Sequence, residues 1–478
     1  MQKSRLYNLL MIVVLLSGLA LSACAPQTPA ATEAPAAAGE TPAVAGETPA
    51  AAGETPASPP KSDVELTFVW HSGGLGEKLE EIAKEYTALT GVVVRADLVP
   101  YGPQWHDKIA TEFAARGSGF DLAVFDSQSM SEFASQNHVV ALNDYLNKSE
   151  KIALSDFDAA AIRQYGEYPE GSGNIFALPV NQDAMGLVYR KDLFEDPKEM
   201  EAFKAKYGYE LAVPKTYTEL YDIAEFFTRP DQNLYGLASY GSRDYDAVTS
   251  PFDGILWSFG GELWDSTTKQ AQGVINSDVA VEALTFYRDL FKFMPPGASG
   301  WFYDEVNNAL HTGIAAMAIN WYYFFQAHAD PKIDPFADKL GYAALPGMDG
   351  ADGKFRQHAS VGGQGLSISA YSRNIEEAWK FLEWFMEPEQ QWKWVEAGAQ
   401  TGRVDVLTDP KYTTTKPWNA SFPESMSHVK DYWHLVEYPQ LLDSYQKYVN
   451  LAISGEMDPK EALDLVAAEH QVILDKIK

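Results

Sequence analysis

The residues able to do chemistry in this chain are polar groups set at the ends of apolar runs. Asp183 follows the run Ala177-Leu178-Pro179-Val180 after only Asn181 and Gln182, and an acidic side chain so placed needs a partner. Asp126 and Gln128 close the run Phe120 to Phe125, and His71 and Ser72, with Gly73 and Gly74, close the run Leu66 to Trp70. Such groups suit hydrogen bonding to a small polar molecule. Patterns of covalent chemistry are missing. No Gly-x-Ser-x-Gly turn presents a serine nucleophile, no Gly-rich loop ending in Lys-Ser or Lys-Thr cradles a phosphate, and no His-Glu-x-x-His pair offers two metal ligands on one helix face. The nine histidines are scattered. One cysteine, Cys24, allows neither an intrachain disulfide, nor a Cys-based zinc site, nor dithiol redox chemistry. Asp349-Gly350-Ala351-Asp352-Gly353 lacks the ligand spacing of a calcium loop and reads as an exposed turn. A carboxylate pair for glycoside hydrolysis stays open, because such pairs meet only in space.

The positioning elements follow from periodicity. Leu66 to Trp70 reads as a strand, and Leu75, Leu79, Ile82, Tyr86 and Leu89 then fall at helical spacing. Gly91 stops that helix by taking a left-handed conformation, and Val92-Val93-Val94 is the next strand. A β-α-β unit predicts a parallel sheet. A helix from Trp105 to Ala115 leads to the strand Phe120 to Phe125. In open α/β sheets ligands bind beyond the carboxyl ends of strands, where loops 71–74 and 126–128 both lie. Further on, Ala177 to Val180 is a short strand, followed by Asn181-Gln182-Asp183 and the apolar run Ala184 to Tyr189. Gly313 to Asn320 is a buried strand ending at Trp321-Tyr322-Tyr323, and Leu340 to Leu345 is another. Gly362-Gly363-Gln364-Gly365 leads into Leu366-Ser367-Ile368, two aromatic-rich helices follow, and the last helix covers about Pro459 to Ile477.

The N-terminus sets an expected compartment. Lys3 and Arg5 precede an apolar run, Leu9 to Leu21, too short to span comfortably, and Leu21-Ser22-Ala23-Cys24 resembles a bacterial lipobox. Residues 1–23 then read as a lipoprotein signal peptide, and Cys24 as the lipidated residue. Residues 24–62, in which Gly-Glu-Thr-Pro-Ala recurs at Gly39, Gly46 and Gly53, read as a disordered tether with too little apolar surface to fold. The formal net charge of -29 argues against nucleic acid and anionic lipid as partners. The body from about Asp63 to Lys478 is long enough for two domains.

Taken in order, Leu178 to Phe194, Val213 to Leu220, Gly313 to Trp321 and Ala378 to Phe385 resemble the family 1 extracellular solute-binding proteins of ATP-driven importers, the maltose-binding type. The resemblance implies an α/β, two-lobed periplasmic-binding-protein fold (type II, maltose-binding-like) with a hinge and an interlobe cleft. Lobe 1 would take 63–180 and 366–405, and lobe 2 would take 181–365 and 406–478. Crossing strands are expected near Pro179–Asn181, Gly362–Gly365 and Val404–Leu407. The implied function is a lipid-anchored, monomeric binding protein on the extracytoplasmic face of the cell membrane, not an enzyme and without a cofactor. It would capture an oligosaccharide, monosaccharide or polyol and deliver it to the transmembrane subunits of an ABC importer.

A neutral sugar offers hydroxyls to carboxylates and amides and apolar C–H faces to aromatic rings. The expected ligand-binding residues are accordingly His71, Ser72, Asp126, Gln128, Asp183, Tyr240, Trp257, Asn320, Trp321, Tyr322, Gly363 and Arg403. Tyr245, Asp246 and Gly362 are further possibilities. Most of the 12 Trp, 25 Tyr and 24 Phe must serve the core, so strand-end position is what raises Trp321 and Tyr322 above the rest. The same fold could instead take a charged solute such as a sugar acid, sugar phosphate or polyamine. An anion would want convergent Arg or Lys, and a cation would want carboxylates around an aromatic cage, for which Asp126, Asp183 and Asp246 are on offer. A secreted carbohydrate-active enzyme and a purely adhesive surface protein are the other readings.

Overall fold

The computed structural model describes residues 62–332 and 334–477. The signal peptide, Cys24 and the tether up to residue 61 lie outside the described residues. The scaffold is a continuous nine-stranded sheet flanked by helices, and its order is what makes the site. The strands of this sheet are β1 (Glu65–His71), β2 (Val93–Val99), β3 (Leu122–Asp126), β4 (Ala177–Arg190), β5 (Tyr235–Ala238), β6 (Ala315–Trp321) and β7 (Leu340–Ala344). A separate small hairpin pairs β8 (Met348–Asp349) with β9 (Phe355–Arg356), and the large sheet is completed by β10 (Ala359–Ile368) and β11 (Val429–Lys430). The main path runs β2-β1-β3-β10-β4-β6-β5, with β7 also paired to β4 and β11 to β10. Every residue of β3 and β6 is buried, which is why both read as unbroken apolar runs rather than as alternation.

Two strands carry the connection between the halves. The first part of β4 pairs with β10, from Ala177 opposite Ser367 to Ala184 opposite Val361. Its second part pairs with β6 on one side and β7 on the other. One half is therefore β2-β1-β3-β10 with the start of β4, and the other is the end of β4 with β5, β6 and β7.

The parallel sheet expected from the first β-α-β unit holds for β1 with β2 and with β3. It does not extend to the connecting strands, because β10 runs antiparallel to both β3 and β4. The strand expected over Ala177 to Val180 also runs on through Asn181, Gln182 and Asp183. All three are buried within the 14-residue strand β4. Polar residues survive there because distant backbone satisfies them: the Gln182 amide donates to the carbonyl of Thr401 at 2.6 Å, and Asn181 Oδ1 accepts from the Gln400 amide at 3.0 Å. Gly362 to Gly365, expected as a crossing strand, lies inside the connecting strand β10, whereas Val404–Leu407, also expected as one, is a single helical turn.

The first helix, Leu75–Thr90, buries Leu75, Leu79, Ile82 and Tyr86 at the predicted spacing. It ends on Gly91 with φ of 80°, the left-handed cap that its sequence position implied. Among the described residues no helix is long and apolar enough to cross a membrane.

Candidate functional site

Strand register assembles the candidate site. Asp126 ends β3 and lies opposite Gln364 of β10, Asp183 of β4 lies opposite Gly362, and Trp321 ends β6 opposite Met185 of β4. Strand ends from both halves thus converge on one small cavity of about 20 Å³. It is lined by Tyr101, Asp126, Gln128, Asp183, Asp246, Trp321, Tyr323, Phe324, Gly362, Gly363 and Gln364. That volume holds about one water molecule, whereas small-molecule sites run to roughly 300–1,000 Å³. Admitting a solute therefore requires the two halves to part.

Polar contacts span the gap. Tyr245, from the second half, donates its hydroxyl to Asp126 Oδ2, and Gln128 Nε2 donates to Asp246 Oδ2 at 3.4 Å. Tyr245 itself holds a left-handed backbone, φ 55°, a conformation costly for a bulky residue, and the Gln446 side-chain amide caps its carbonyl. Aromatic packing adds to these bonds. The Tyr101 ring, beyond the end of β2, sits 5.4–5.9 Å from the rings of Tyr245, Phe302, Tyr303 and Phe324. The Leu75 amide reaches the Tyr323 hydroxyl at 3.5 Å.

Burial dominates the electrostatics. Desolvation pushes Asp126 up to about 6, although hydrogen bonds from Tyr245 and Gln364 (2.7 Å) favour its charged form. Asp246 rises to about 7, through burial first and the neighbouring Asp126 second. Asp183 is held well above the usual carboxylate range, again chiefly by burial, while its Oδ1 accepts from the amides of Ala184 (2.9 Å) and Tyr323 (3.2 Å). Among the described residues no Lys or Arg lines the cavity, and no group of three or more His, Cys, Asp or Glu side chains is placed to hold a metal ion. Three lining atoms are buried without a hydrogen bond: Asp246 Oδ1, Gln128 Oε1 and Trp321 Nε1. The chemistry on offer is hydrogen bonding and ring packing in a small, largely buried space.

Of the residues expected from sequence, Asp126, Gln128, Asp183, Trp321 and Gly363 line the cavity. Gly363 holds φ of 110°, and a Cβ there would sit 2.5 Å from the Asn181 carbonyl oxygen, so close strand approach demands glycine. Asp246 and Gly362, two of the further possibilities, line the cavity too, and the remaining expected residues lie outside it. His71 is buried behind the cavity wall with its ring 4.8–5.1 Å from those of Tyr101, Trp105 and Tyr323, and burial lowers it to about 4, so it is neutral. Ser72 donates its amide to the Val99 carbonyl and shapes the turn. Tyr240 donates to Asn320 Oδ1, and Asn320 Nδ2 donates to Asn307 at 2.8 Å, a buried network supporting the end of β6.

Tyr322 turns the opposite way from Trp321 and bonds Ser421 and Ser425. Trp257 is a core residue of the helix Thr249–Phe259, with Lys430 over its ring. Arg403 is consumed by Asp405 (2.8 Å) and the Met386 carbonyl (2.9 Å). Sequence reasoning did not single out Tyr101, Tyr323, Phe324 or Gln364. Tyr323 and Phe324 follow Trp321 by two and three residues, so the strand end that flagged Trp321 and Tyr322 could have flagged them as well.

Residues 71–392, well over half of the chain, match the family model described as bacterial extracellular solute-binding protein. A probable amino-acid ABC transporter periplasmic-binding protein of Sinorhizobium fredii is 23% identical over 82% of this chain and 85% of its own length. The solved structure of maltose-bound MalE3 of T. maritima is 26% identical, with a TM-score of 0.73 over 86% of this chain and 100% of that one. An ABC transporter solute-binding protein of Agrobacterium radiobacter K84 in complex with ribitol is 25% identical, with a TM-score of 0.74 over 87% and 100%. The two solved neighbours are two-lobed α/β periplasmic binding proteins, and this chain shares their fold. The chain belongs to the bacterial extracellular solute-binding protein family.

Proposed function

We propose that this protein captures a sugar or polyol in the cleft between its halves and hands it unchanged to the transmembrane subunits of an ABC importer. The observation that carries the reading is the convergence of Asp126, Asp183 and Asp246 with Trp321 and Tyr101 on one small cavity between the halves. Carboxylates accept from ligand hydroxyls, and the rings cover C–H faces. Solved relatives that hold maltose and ribitol support the same class. An α-amino acid, suggested by the name of the Sinorhizobium relative, fits less well, because its carboxylate would face three acidic side chains.

Capture follows from closure. The segments 63–180 with 366–405 and 181–365 with 406–478 act as the two lobes, hinged on β4 and β10, and solute entering the opened cleft is trapped when the interlobe contacts re-form. The lipobox-like Leu21 to Cys24 supports a lipid anchor on Cys24 and an extracytoplasmic, membrane-tethered, monomeric protein. A thermal-shift screen of the full chain against maltose, ribitol, mannitol and the common amino acids tests the reading. A sugar or polyol at about 100 times its Kd should stabilise the fold by about 2.7 kcal/mol. A shift from amino acids alone would overturn it.

A further inference from the structure

We infer that the captured solute carries a positively charged nitrogen, so that the cleft selects an amino sugar or amino polyol over its neutral counterpart. The inference rests on the capture reading above and narrows it. Three carboxylates, each at most 5% exposed, share one small cavity, and among the described residues no Lys or Arg lines it. Burial disfavours the charged form of each carboxyl, and a cationic group entering among them would favour it again.

The unpartnered atoms carry the argument further. Asp246 Oδ1 and Gln128 Oε1 are buried acceptors without donors, contributed by opposite halves, and their side chains are already joined through Gln128 Nε2 and Asp246 Oδ2 at 3.4 Å. A hydroxyl brings a single donor, whereas an ammonium brings three donors and no acceptor. Two orphaned acceptors beside carboxylates match the ammonium. The rings of Tyr101, Trp321, Tyr323 and Phe324 complete a wall whose faces attract a cation. Trp321 Nε1, a buried donor without an acceptor, calls for an oxygen on the same ligand, which a hydroxyl supplies and a simple polyamine does not. Sugar acids and sugar phosphates would meet like charge.

The test is calorimetric titration of the full chain at neutral pH with matched pairs: D-glucosamine against D-glucose, and 1-amino-1-deoxy-D-sorbitol against D-sorbitol. N-Acetyl-D-glucosamine serves as the uncharged amide control, and maltose and ribitol as neutral references. The amine should bind at least about ten-fold more tightly than its hydroxyl or amide counterpart, a gap of about 1.4 kcal/mol. Asp246→Asn, which keeps the side-chain shape, should bring each pair to within about two-fold. Gln128→Glu, at a half-buried position, should widen the preference and does not depend on the first variant folding. Equal or tighter binding of the neutral member, or binding of maltose or ribitol without any amine, overturns the charge inference and leaves the capture reading standing. Silence from every sugar and polyol overturns both.

Discussion

Adjacent residues of the connecting strands face two different cavities. On β4, Asp183 faces the cleft cavity of about 20 Å³, while its neighbour Gln182 faces a cavity of about 530 Å³ on the other side. On β10 the same division separates Gly362 from Val361. The larger cavity is lined chiefly by apolar side chains, among them Ala161, Leu407, Phe422 and Met426, and by size alone it would be the first candidate for a ligand. Its lining side chains leave no buried polar atom without a partner, whereas the cleft leaves three. The smaller space holds the desolvated carboxylates and the orphaned hydrogen-bonding groups. Of the two spaces, the smaller is the one that joins buried carboxyls to unpartnered hydrogen-bonding atoms, the combination a polar solute would satisfy.

That contrast can be broken by substitutions on either side. Phe422→Ala, in the larger cavity's wall, should cost about 3–5 kcal/mol of stability in urea denaturation, because Phe422 is 1% exposed. It should leave sugar affinity within about three-fold, since no cleft contact changes. Asp183→Ala should do the reverse. Affinity for the best sugar or polyol should fall about 100-fold, equivalent to about 2.7 kcal/mol, with a smaller effect on stability than that of Phe422→Ala.

The raised carboxylates give a pH signature. Asp126 and Asp246 have folded values of about 6 and about 7 against an ordinary 3.8, so between these limits the folded chain holds protons that the unfolded chain has released. Their contribution to stability is fully present below about pH 4 and is lost as pH rises through 6 to 7. Asp246→Asn should flatten the melting-temperature profile across that window by on the order of 2 kcal/mol, read by thermal unfolding from acid to neutral pH. Tyr245→Phe removes only the hydroxyl donated to Asp126. It should weaken ligand binding by about 1 kcal/mol, seen as a several-fold faster release in stopped-flow measurements.

Much of the frame was legible because burial on both faces leaves an unmistakable pattern, as in β3 and β6, and because the first helix keeps its buried period as far as Tyr86, though Leu89, expected on the same face, is exposed. The strand starting at Ala177 reads as ending at Val180, whereas it runs on through Asn181, Gln182 and Asp183 to Arg190. Their partners, Gln400 and Thr401, lie more than two hundred residues away and are invisible to local reading. Within the cavity lining, strand-end position pointed to Asp126 and Trp321, and an acid directly after an apolar run pointed to Asp183. Strand-end position could not separate Trp321 from Tyr322, because that depends on which side of the chain each ring leaves the strand end. Trp257 and Arg403 have the right chemistry for a ligand but spend it on the core and on Asp405. Tyr101 reaches the site from a loop beyond β2, where composition gives no cue.

The central claim is that the cleft face of β4 and β10 takes the solute. Calorimetric titration of the best sugar or polyol into the native chain, Asp183→Ala and Phe422→Ala tests it most directly. Tight binding to the native chain and to Phe422→Ala, with about a 100-fold loss in Asp183→Ala, is the predicted result. Binding that survives Asp183→Ala unchanged but is lost in Phe422→Ala would place the solute on the other face and contradict the account.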